Sequence, residues 1–149
     1  DLLVNEFVYK ALTDKYITIF EREAVRNYIH IIDVASVFDF MIDNYDDCKG
    51  QIYNVGLSDT NINKQQLAEK IKEYIFDLTI TYSDYYEDPD KRDYIVSNEK
   101  IEKTGWKPKY SLDDGIKELI MAYQIIINND VSHFRNGFPL TYGASLWEY

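Results

Sequence analysis

One cysteine, Cys48, stands in 149 residues, so no internal disulfide can form and a reducing, cytoplasmic setting is expected. Basic residues are scarce: 16 Lys and Arg face 26 Asp and Glu, a formal charge of -10. Nucleic-acid binding needs a basic face that displaces counterions, so that class is set aside, and any anionic ligand must be met by a few placed cations. No apolar run approaches the ~20 residues of a membrane helix and nothing resembles a signal peptide, so no membrane association is expected. His30, His133 and Cys48 are too scattered to share a metal ion. Asp88, Asp90 and Asp93 are dense, but they lack the glycine and terminal glutamate of a calcium loop. No nucleophile has an adjacent base. An initiating Met is also absent, and a helical pattern begins at once; the expectation is a piece of something longer.

What is present is an ordinary soluble composition, 46% hydrophobic and 28% charged, in a chain the size of one domain. Leu3, Phe7 and Ala11, with Val4 and Val8, fall on one side of a first helix that closes near Asp14. Tyr16 to Phe20 alternates like a strand. Tyr28 to Ile32 reads as a buried strand running into a helix capped by Asp33, with Val34, Val37, Phe38, Met41 and Ile42 at helical spacing and Gly50 beyond its end. Gln51 to Gly56 reads as a further strand. Asn63 and Gln66 have the form of a capping box, opening a helix with Leu67, Ile71, Tyr74 and Ile75 on one face. Leu78 to Tyr82 is a short strand, Ser97 to Lys103 a helical turn, and Ser111 caps a last long helix burying Leu112, Ile116, Leu119, Ile120 and Tyr123. Alternating helices and strands predict an α/β or α+β chain of about four strands and four helices.

Arg26 heads the Tyr28 strand and is one of four arginines. Its planar fork of donors matches phosphate, so it is either a phosphate clamp or half of a surface ion pair with Glu21 or Glu23. Arg92 falls on a polar, turn-forming stretch, Asp88 to Tyr94, and loops over a rigid scaffold are where binding groups tend to sit.

The ordered motifs Arg26-x-Tyr28-Ile29-His30-x-x-Asp33-Val34-Ala35, Tyr53-Asn54-Val55-Gly56, Arg92, and Lys100-Ile101-x-x-x-Gly105-Trp106-x-Pro108-x-x-Ser111-Leu112-x-x-Gly115 resemble the C-terminal, substrate-binding half of the extended short-chain dehydrogenase/reductases. These are the NAD(P)-dependent nucleotide-sugar epimerases and 4,6-dehydratases, isomerases and lyases of carbohydrate biosynthesis. The resemblance implies a mixed α+β portion of a Rossmann enzyme over residues 1–130, followed by an irregular aromatic tail, 131–149, with no assigned role. It implies that Arg26 and Arg92 grip the diphosphate of a nucleotide-diphosphate sugar. By the same likeness the backbone of Ile19 and Phe20 lies against the nucleobase, and Asn5 lines the sugar side. Asp33 and the Tyr53-to-Gly56 strand look structural, Trp106 and Pro108 brace the Arg92 loop, and Asp93 either reaches a ribose hydroxyl or forms a turn. Asn27 stands where many relatives have Asp, a departure expected to weaken no more than a local hydrogen bond.

The resemblance also implies what must come from elsewhere. The six glycines, at 50, 56, 105, 115, 137 and 143, are not spaced to build the turn that holds a dinucleotide pyrophosphate, so NAD or NADP is expected to be bound mainly by an absent N-terminal Rossmann half. Tyr45 and Lys49 match the family's Tyr-x-x-x-Lys spacing, but Asp43, Asp46 and Asp47 would hold the phenol proton on, and the pair follows Arg26 where the family's precedes it. No catalytic residue is therefore assigned, and no turnover is expected from this chain alone. The parent is expected to form a homodimer. The alternative is a stand-alone binding or protein-interaction module on the same scaffold.

Overall fold

The computed structural model describes residues 2–83 and 93–128. The first helix, α1 (Leu3–Thr13), leads into β1 (Tyr16–Ile19) and β2 (Val25–Asn27). After α2 (Ile31–Asp43) and a single turn, α3 (Tyr45–Cys48), the chain forms β3 (Asn61–Asn63), α4 (Lys64–Lys72) and β4 (Thr79–Tyr82). A second single turn, α5 (Glu99–Glu102), precedes the long α6 (Leu112–Asn128). The mixed α/β class is as expected. Strand β1 pairs with β4 in parallel, Tyr16 opposite Thr79, and β2 pairs with β3 antiparallel, Arg26 opposite Ile62.

Helical periodicity produces the main core, because each amphipathic stripe must be covered. Phe7, Val8 and Ala11 of α1 meet Ile17 and Ile19 of β1, Leu67, Ala68 and Ile71 of α4, and Ile116 of α6. The capping box at Asn63 forms in both directions, its side chain accepting from Gln66 N–H at 2.8 Å and Gln66 Oε1 accepting from Asn63 N–H at 2.9 Å. A second, smaller cluster joins Val37 of α2, Ile101 of α5 and Trp106, whose indole N–H donates to Ser36 Oγ at 3.1 Å.

Three expectations are corrected. Tyr28–Ile32 is not a strand: the β2 ladder stops at Asn27, and the Thr60 hydroxyl replaces the next strand partner, accepting from Tyr28 N–H at 3.2 Å and donating to Tyr28 O at 2.6 Å. Asp33 is not the helix cap. His30 caps α2, its Nδ1 accepting from Ile32 N–H at 3.2 Å, while Asp33 sits fully buried inside the first turn. Its carboxylate accepts from the backbone N–H groups of Lys109 and Tyr110 at 2.9 and 3.0 Å, pinning the segment after Trp106 to α2. Gln51–Gly56 forms no strand either, since no ladder partner reaches it among the described residues; side chains hold it instead, Lys100 Nζ donating to Ile52 O at 2.9 Å.

Gly56 lies under Asn27. A Cβ built there would fall 2.0 Å from Asn27 Oδ1. Asn27 in turn clamps the next residue, its Nδ2 donating to Leu57 O at 2.7 Å and its Oδ1 accepting from Leu57 N–H at 3.2 Å. An aspartate could not make both bonds, so the Asn at this position is a working part rather than a weakened one. Gly56→Ala should push the Asn27 amide off Leu57 and destabilise the fold by about 2 kcal/mol, read as a lower urea midpoint at unchanged slope.

Helices α4 and α6 are also joined by charge. Tyr74 Oη donates to Asp113, and Lys70 Nζ lies 2.9 Å from the same carboxylate. Burial alone would raise the Asp113 carboxyl, but the hydrogen bonds from Tyr74 and Lys70 outweigh it and hold its pKa below the usual carboxylate range. The Tyr74 phenol is pushed up to about 12, first by its hydrogen bond to Asp113. A lowered carboxyl pKa stabilises the fold above its unfolded value, near 4, and that contribution is lost as the pH falls through the folded value. Lys70→Met should therefore be less stable than the parent in urea at pH 7, with the gap shrinking below about pH 4.

Candidate functional site

A cleft of about 690 Å³ opens where the N-terminal turn of α1, the segment leaving β2 and the first turns of α6 meet. Asn5 comes from α1, Arg26 from β2, and Ser111, Gly115 and Glu118 from the α6 region. Lys64, the first residue of α4, completes one wall. Thus two of the expected site residues, Asn5 and Arg26, share one cavity.

Arg26 is held rather than loose. Its Nη1 donates to Val25 O at 2.8 Å, and the guanidinium lies 4.8 Å over the Tyr94 ring, a cation–π stack that fixes the plane of the fork. Tyr94 N–H donates to Val25 O at 3.1 Å and Asp93 Oδ1 accepts from Val25 N–H at 3.0 Å, so residues 93 and 94 run beside β2. Asp93 is thereby engaged by the backbone of β2, a long-range bond that is neither a local turn nor a ribose contact. Arg92 itself lies outside the described residues.

Ile19 and Phe20 do not line this cleft. Ile19 is buried in β1 and its carbonyl accepts from Ser83 N–H at 3.1 Å, while Phe20 O accepts from Lys64 Nζ at 3.2 Å. Tyr45 and Lys49 also lie away from it; Lys49 pairs with Asp46 at 2.7 Å.

Tyr28, His30, Lys64 and Glu118 line the cleft and were missed from sequence. Arg26, Tyr28 and His30 are spaced by two along an extended segment, which puts alternate side chains on one side, and that spacing was a usable signal. The Tyr28 hydroxyl is buried with no hydrogen-bond partner among the described residues, and burial pushes its pKa up to about 12. Lys64 is 5% exposed, a buried cation close to the cleft that nothing in the capping-box pattern announced.

The glycines offer no dinucleotide turn among the described residues. Gly50 and Gly105 follow α3 and α5, Gly56 is closed over by Asn27, and Gly115 is inside α6. None opens a helix N-terminus toward a pyrophosphate, so these residues do not fit an NAD(P) site and no step is assigned to the cofactor here. No helix among the described residues is long and apolar enough to cross a membrane.

Comparison with known proteins bears on this geometry. Residues 2–56 match the NAD dependent epimerase/dehydratase family. The dTDP-D-glucose 4,6-dehydratase of Mus musculus is 30% identical over 111 residues, which cover 70% of this chain and 30% of that protein. Among solved structures, a Bacillus anthracis dTDP-glucose 4,6-dehydratase in complex with NAD superposes with a TM-score of 0.64 at 25% identity, over 83% of this chain and 39% of that one. The L-threonine dehydrogenase of Phytophthora infestans superposes with a TM-score of 0.65 at 18% identity, over 81% of this chain and 40% of that one. The second likeness speaks to fold alone. The chain thus spans about a third of the length of the relatives it matches, and its likeness to the NAD dependent epimerase/dehydratase family lies over residues 2–56.

Proposed function

We propose that this chain is the part of an NAD(P)-dependent nucleotide-sugar epimerase or 4,6-dehydratase that grips the diphosphate of the substrate. The observation that carries the reading is Arg26, its fork braced by Tyr94 in a cleft it shares with Asn5. In a chain of charge -10, the cleft lining sets two cations, Arg26 and Lys64, beside two acids, Glu6 and Glu118. The planar fork of Arg26 suits a doubly charged diphosphate. The bonds from residues 93 and 94 to Val25 carry the chain on the C-terminal side of Arg92 to the flank of Arg26, which supports a second fork at the same group.

The residues described here bind and orient. Arg26 and Lys64 neutralise the diphosphate, Asn5 offers an amide to the attached sugar, and the apolar walls, Leu3, Leu57 and Leu119 among them, exclude water and so strengthen each charged contact. The cofactor, which supplies hydride acceptance and return when bound, and the acid–base groups belong to the rest of a parent enzyme, cytoplasmic and dimeric. This chain alone binds without turnover. Calorimetric titration with dTDP and UDP should give one site per chain, and the absence of heat with either would refute the reading.

A stand-alone module fits less well. Ile31, Phe38 and Ile42 of α2 are 73%, 66% and 72% exposed, and Ile52 in the unpaired 51–56 segment is 87% exposed. An apolar face beside unladdered backbone calls for a covering partner. Light scattering of the purified chain should show concentration-dependent self-association, and a clean monomer at all concentrations would favour the stand-alone alternative.

A further inference from the structure

The cleft holds an acidic group that the diphosphate reading leaves unused. On α6 Glu118 lies one turn beyond Gly115, Ser111 just precedes the helix, and all three line the cavity. Its Oε2 is 3.0 Å from His30 Nε2. The imidazole is not free to turn away, because its Nδ1 accepts from Ile32 N–H at 3.2 Å as the cap of α2 and its ring stacks on Tyr110 at 4.4 Å between centroids, 22° between planes. With Nδ1 an acceptor, the proton of the neutral ring is on Nε2, so His30 donates to Glu118. A glutamate on a helix surface ordinarily samples several rotamers. Here one oxygen is pinned while the side chain stays 58% exposed, leaving acceptor capacity for a donor that enters the cleft.

Arg26 and His30 are four residues apart, at most about 14 Å along extended backbone, a reach comparable with a hexose joined to a diphosphate. A guanidinium at one end and an anchored carboxylate at the other suit a ligand that is anionic at one end and rich in hydroxyl donors at the other. We infer that Glu118, positioned by His30, accepts hydrogen bonds from the sugar hydroxyls and contributes to sugar preference. The inference rests on the diphosphate reading of Arg26.

The test compares dTDP with dTDP-glucose, and UDP with UDP-glucose, by titration of the whole chain. The wild type should bind each glucose conjugate more tightly than the bare diphosphate. Glu118→Ala should lower that sugar increment about tenfold and leave bare-diphosphate affinity within a factor of two, which also reports that the variant is folded. Should the alanine variant not fold, Glu118→Gln, which keeps an acceptor for His30, should show a smaller loss in the same increment. An increment unchanged in both variants, or no increment in the wild type, overturns the role of Glu118 alone; no binding of any of the four compounds overturns the diphosphate reading with it.

Discussion

Asp33→Ala is expected to destabilise the fold by about 3–5 kcal/mol, enough to unfold much of the population of a marginal domain. Asp33 is fully buried, and both of its oxygens are used: Oδ1 accepts from Lys109 N–H and Oδ2 from Tyr110 N–H. Truncation strands two backbone donors and opens a cavity beside the Trp106 cluster, whereas a buried carboxylate with two donors is satisfied. Asp33→Asn keeps the volume but turns an NH₂ group toward one of the two donors, so it should cost about half as much. Urea unfolding followed by tryptophan fluorescence measures both, and an alanine variant within about 1 kcal/mol of the parent would show that the clamp is dispensable.

Arg26→Ala should weaken binding of a nucleoside diphosphate by about 100-fold or more, since losing a charged hydrogen-bonded contact in a partly closed cleft typically costs 2–5 kcal/mol. Arg26→Lys is the sharper probe. A lysine keeps the charge but not the planar fork or its stack on Tyr94, so it should recover a minor part of the loss if geometry matters and most of it if charge alone does. Stability should change little in either, because Arg26 is half-buried in a short strand. Equal affinity in all three proteins, measured by calorimetry with UDP, would remove Arg26 from the site. Arg92→Ala is the companion variant, expected to weaken binding in the same direction.

Legibility in the sequence divides along the distance over which each feature is encoded. The faces of α1, α4 and α6 follow from residues three and four apart, and the Asn63–Gln66 box from residues three apart, so they could be read directly. The end of β2 could not. Tyr28–Ile32 carries strong strand formers, but what pairs with Tyr28 is the side chain of Thr60, 32 positions away. The cap of α2 was misassigned because aspartate is the commoner cap and histidine a rare one; only the bonds to Lys109 and Tyr110, 76 and 77 positions on, remove Asp33 from that role. The proposal of Arg26 as a phosphate ligand came from its chemistry and its motif, while its sharing of one cleft with Asn5 is a property of packing. Lys64 and Glu118 were illegible for the same reason: each sits on a helix whose local pattern says nothing about the strand or loop across from it.

The parallel ladder between β1 and β4 sets how this chain must reach its native state. Thr18 meets Thr81, 63 positions further along the chain, and no local hairpin can bring them together. Helices α1 and α4 can flicker into being within about a microsecond, yet the ladder waits on closure of a long loop whose entropy is surrendered before any contact repays it. Acquisition of structure in this chain is accordingly governed by topology, and a shortened version that ends before β4 would leave β1 with nothing to zip against.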